Sequence, residues 1–96
     1  MKKLYIQSSS SINLRGLRTN FPDIVEEVFT TIYEEDWDGE IKSEKELAAA
    51  VFNRLDKDAA LIGDEFGVTE AEVLGLINEM QDYILDEAFI EFNKYY

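Results

Sequence analysis

Neither cysteine nor histidine occurs anywhere in the 96 residues of this chain. Without them there are no disulfides, no thiolate chemistry, no common zinc ligand set and no Ser-His or Cys-His nucleophile pair. No glycine-rich phosphate loop is present. There is no apolar run of about 18 residues that would cross a bilayer. Lys2 and Lys3 imitate the start of a signal peptide, but Leu4 to Ile6 is too short for its apolar segment. These absences predict a soluble, cytoplasmic protein that is not an enzyme and carries no cofactor and no metal. No internal repeat is visible, and the serines from Ser8 to Ser11 are the one low-complexity stretch.

What remains is one domain's worth of chain with an uneven charge. An apolar content of 46%, with six Phe, five Tyr and one Trp, is enough for a single core. Net charge is -12. Residues 1–20 hold Lys2, Lys3, Arg15 and Arg18 and no acid, whereas residues 21–96 hold all 21 carboxylates against five bases. The division predicts a short strand plus basic polar arm over 1–20 and an acidic helical domain over 21–96. Such a body repels nucleic acid and anionic membrane and attracts basic surfaces.

The hydrophobic pattern predicts a mainly α fold of four helices with a short N-terminal β-strand. Lys2 to Gln7 alternates as a strand, to be paired with Gly39 to Lys42 or with a second copy. The stretch from Ser8 to Asn20, interrupted by Gly16, reads as a loop or arm. Pro22 suits the first position of a helix ending near Glu35, with Phe21, Ile24, Val25, Val28, Phe29 and Ile32 in one stripe. Ser43 with Glu46 forms a capping box before Leu47, Ala48, Val51, Phe52 and Leu55. Ala59 to Phe66 is a short helix stopped by Gly67. Thr69 and Glu72 form a second capping box, opening a long helix toward Asn93. That helix carries Val73, Leu76, Ile77, Met80 and Ile84 on one face, and Leu85, Phe89, Phe92 and Tyr96 on another.

Two segments resemble known motifs. In Leu61 to Leu76, small Gly63, turn-forming Gly67, Val68 at the corner, and Val73 with Leu76 resemble the helix-turn-helix family. Residues 44–82 would then form a tri-helical unit. The resemblance implies that the second helix would enter a DNA groove. Here those positions carry Glu70, Ala71, Glu72 and Leu74, which predicts no direct sequence-specific contact with nucleic acid. The run Glu34-Glu-Asp36-Trp-Asp38-Gly39-Glu-Ile41 looks like the first half of an EF-hand loop. Its later ligand positions hold Lys42 and Lys45, which oppose calcium. Trp37 between two acids reads either as a core-edge residue or as an interface anchor.

In composition the chain resembles small acidic DNA-mimic inhibitors of phages and mobile elements. The resemblance implies binding to a basic, nucleic-acid-binding protein surface. Carboxylates along helices would carry it: Glu26, Glu27, Glu34, Glu35, Asp36 and Asp38 with Trp37, and a second row of Glu70, Glu72, Glu79 and Asp82. The alternatives are a structural subunit that forms a homodimer through Leu85, Phe89, Phe92 and Tyr96, and a transcriptional regulator using Arg15 and Arg18 on DNA.

Overall fold

The computed structural model describes residues 10–96 and consists of five helices: α1 (Ser11–Glu35), α2 (Glu44–Lys57), α3 (Ala59–Phe66), α4 (Glu70–Glu79) and α5 (Gln81–Tyr95). The mainly α expectation holds, with five helices in place of four. The expected strand, Lys2 to Gln7, lies outside the described residues. Gly39 to Lys42, its proposed partner, is loop, and no strand occurs among the described residues.

The first correction concerns the stretch from Ser8 to Asn20. From Ser11 onward it is helix, not loop, and α1 runs unbroken through Gly16 and Pro22. Ser10 caps it by accepting the Asn13 amide at 3.1 Å. Leu17, Phe21, Val25, Phe29 and Ile32 fall three or four residues apart and are all buried, so one apolar stripe continues across the proline. Pro22 removes one hydrogen bond to the preceding turn, at a cost of about 3 kcal/mol in a helix interior. Burying large side chains such as Leu17 and Phe21 on both sides of it contributes about 1.5–3 kcal/mol each and offsets that cost. Tertiary contacts also hold the first half down. The Asn13 side-chain Nδ2 donates to the Gly67 carbonyl at 3.1 Å, and Arg18 pairs with Glu79.

The middle of the chain follows its caps. Ser43 accepts the Glu46 amide at 3.2 Å, while the Glu46 carboxylate takes the amide of Lys42 at 2.6 Å, one residue before the position a capping box requires. Thr69 and Glu72 do form the reciprocal box, with bonds of 3.1 and 2.9 Å. Between α3 and α4, Gly67 adopts φ +73° and the Val68 amide returns to the Gly63 carbonyl at 2.9 Å. A Cβ on Gly63 would lie 2.7 Å from the Val68 carbonyl oxygen, so the corner closes only around glycine.

The second correction is at Met80. The expected single helix from Thr69 to Asn93 breaks there, at φ -93° and ψ 16°. The break lets α4 pack on α3 while α5 returns along α2 and α1. Val73, Leu76 and Ile77 therefore share one core with Ile84 and Ala88. That core contains no polar or charged residue, and the molecule is a rod of 53 × 20 × 16 Å. No helix among the described residues is long and apolar enough to cross a membrane.

Candidate interaction surface

The end of the rod where α1 stops is built around a tight turn. The Asp36 carbonyl accepts the Gly39 amide at 3.0 Å, and Gly39 takes φ +71° to complete the reversal. The Asp36 carboxylate turns inward and accepts the amides of Glu40 at 2.9 Å and Ile41 at 3.1 Å. Lys42 closes the loop from the other side, its ammonium donating to the Gly39 carbonyl at 3.1 Å. Trp37 sits on the outside of this braced turn and is 87% exposed. Of the two readings open for it, the structure places it in solvent and not at the core edge.

The same bonds change the meaning of the acidic loop. Asp36 spends its oxygens on backbone amides and Lys42 occupies the Gly39 carbonyl, so neither group faces a common centre. Among the described residues no three carboxylates converge as a metal site.

Aromatic rings gather beside the turn. Tyr33 on α1 meets Tyr95 at 5.1 Å and Tyr96 edge-on at 5.5 Å, and Tyr96 stacks on Phe92 at 5.2 Å. Partial burial raises the Tyr96 phenol above its ordinary value, with Asp36 and Tyr33 adding to the effect. Glu34, Glu35 and Asp36 stand at the C-terminus of α1, whose last turn has no base, so the helix dipole adds to their negative field. Behind the turn lies an open groove of about 420 Å³. Ile32, Ile41 and Ala50 line it together with the acids Glu35, Asp36, Asp38 and Glu40 and, from α2, Asn53, Arg54 and Lys57.

The expected acidic residues do not form one surface. Glu34, Asp36, Trp37 and Asp38 come together, but Glu35 is paired with Arg54 at 3.2 Å. Glu26 and Glu27 are exposed two turns earlier on α1. Of the second row, Glu72 and Glu79 lie beside the first half of α1, where Glu79 binds Arg18 at 2.8 and 3.4 Å through both carboxylate oxygens. Arg18 holds the Glu79 carboxyl below its usual range. The separation of sixteen residue steps from Arg18 to Glu34 corresponds to roughly 24 Å of helix. Glu72 is engaged in its capping box, while Glu70 and Asp82 are exposed. Of the expected oligomer residues, Leu85, Phe89 and Tyr96 are 44%, 57% and 39% exposed, whereas Phe92 is half-buried, with Tyr96 stacked on it. Tyr33, Tyr95 and Glu40 belong to the aromatic end without having been singled out. For Tyr33, its place one residue past buried Ile32 is the signal that could have found it.

Comparison with protein families, with curated proteins and with solved structures finds no match to this chain.

Proposed function

We propose that this chain is a non-enzymatic interaction protein whose acidic, aromatic end occupies a basic surface of another protein, in the manner of a DNA mimic. The observation that supports the reading best is Trp37, a large ring standing free between Asp36 and Asp38 on a turn braced from beneath. The braced turn loses little backbone freedom on binding, and tryptophan is among the residues most enriched at interface hot spots. The surrounding carboxylates, with the C-terminal end of α1, steer a cationic partner toward it. The inhibitor role seen in phage and mobile-element proteins of similar composition belongs to this proposal and adds a nucleic-acid-binding target.

Trp37 is the chain's one tryptophan, so its fluorescence reports the site directly. Titration with an arginine-rich peptide is expected to shift and quench its emission at low salt. The response should vanish at 1 M salt, where charges are screened beyond about 3 Å. Calorimetry on Trp37→Ala should then show at least tenfold weaker binding. Undiminished binding by that variant, or no binding by the parent protein at low salt, would refute the proposal.

A second reading, homodimerization through α5, draws support from the exposure of Leu85 and Phe89. Sedimentation across micromolar concentrations distinguishes a dimer from a monomer. The regulator reading has less support, because the Arg18 guanidinium it would use on DNA is bound to Glu79.

A further inference from the structure

Where α2 meets α4 and the first residue of α5, the surface forms a groove separate from the aromatic end. Phe52, Leu74 and Ile77 line a cavity of about 350 Å³ together with Asp56, Asn78 and Gln81. Of α5 only Gln81 lines that cavity, and Leu85 and Phe89 follow it at four-residue spacing on the same side of the helix. Leu85 and Phe89 are both exposed, one turn apart on α5, and no element among the described residues covers them.

The charges around this groove select its occupant. Asp82 and Asp86 each stand three residues before Leu85 and Phe89, on the outward flank of α5. Asp56, four residues after Phe52, lines the opposite wall. Lys45 stands two turns before Phe52 on α2. A second copy of the chain docked here by a two-fold axis would bring Asp56, Asp82 and Asp86 of both protomers into one seam, between bodies that each carry a net charge of -12.

We propose that this groove receives an amphipathic helix of a partner protein. The partner helix presents an apolar stripe to Phe52, Leu85 and Phe89, and places lysines or arginines over Asp56, Asp82 and Asp86. From Gln81 to Phe89 the exposed side of α5 rises about 12 Å, which accommodates roughly two turns of such a helix. Apolar contact holds the helix, and the carboxylates at one end of the groove set its direction.

The probe is a synthetic helical peptide of about 15 residues, with leucines at helical spacing and lysines flanking them at one end. It is compared with a scrambled peptide and with one carrying glutamine for lysine. The full chain should bind the first at least tenfold more tightly than either control. Leu85→Ser and Phe89→Ser should each weaken binding about tenfold or more, with circular dichroism unchanged because both side chains are exposed. Asp82→Asn together with Asp86→Asn should reduce the preference for lysine over glutamine. Trp37→Ala should leave peptide binding unaltered, which keeps this site distinguishable from the aromatic end. Equal binding of the scrambled peptide, or undiminished binding by Phe89→Ser, would overturn the proposal. A wild-type dimer that Phe89→Ser converts to monomer would overturn it in favour of a second copy.

Discussion

At one end of the molecule, where α1 begins and α3 turns into α4, backbone and side chains interlock. At the other, where α1 gives way to the Trp37 turn and α5 ends, the largest ring stands in solvent. The first end joins segments 54 residues apart through the bond from Asn13 to Gly67, and pins them again through Arg18 and Glu79. The second braces its turn with local hydrogen bonds of three to five residues' separation and leaves its polar rim unpaired except at Glu35. Long-range closure gives stability, and local bracing with an exposed ring gives a surface ready for contact. Substitutions at the two ends should therefore separate folding from binding.

The largest effect belongs to the closed end. Gly63→Val drives a branched side chain against the Val68 carbonyl, which has no room even for a Cβ. Backbone must move, and the expected loss is about 1–3 kcal/mol, or roughly 5–15 °C in a thermal melt. A melt within one degree of wild type would show that the corner is looser than its distances imply.

Pro22→Ala should act in the opposite direction. Restoring the amide lets α1 complete its bond to the Arg18 carbonyl, while the unfolded chain gains freedom. The net expectation is a stabilisation of about 1–2 kcal/mol, read as an increased denaturation midpoint. A decrease would mean that the half-buried proline ring contributes more by packing than it costs in hydrogen bonding.

Trp37→Ala and Phe89→Ser should each leave stability within about 0.5 kcal/mol while weakening their respective ligands. Loss of stability in either variant would erase the contrast between a closed and an open end.

The contrast also explains what the sequence revealed. Segments governed by local chemistry were legible: α2 from Ser43, α3 up to Gly67, and α4 from the Thr69 and Glu72 box. The first half of α1 was not, because Gly16 and Pro22 look like punctuation, while what overrides them is the burial of Leu17 and Phe21 against distant helices. The break at Met80 carries neither glycine nor proline; it follows from the need of α4 and α5 to reach one core. In the candidate site, the acids and Trp37 were visible as a cluster. Their division was not, since pairing of Glu35 with Arg54 and of Glu79 with Arg18 depends on helices packed far apart in sequence.

The smallest expected effect concerns that last pair. Arg18 donates two hydrogen bonds to Glu79 and favours its ionised form, so the folded-state pKa lies below the ordinary value of 4.5. For a carboxyl depressed on folding, the stabilisation is present above the unfolded pKa and is lost as pH falls through the folded one. Both side chains are more than half exposed, and solvent screens the pair, so Glu79→Gln should lower the melting temperature at neutral pH only slightly. The difference between variant and wild type should close as pH falls below 4.5 and again in high salt at neutral pH. A difference that persists at low pH would assign the role of Glu79 to its uncharged atoms at the surface groove it shares with Leu14, Leu17 and Leu76 instead of its charge.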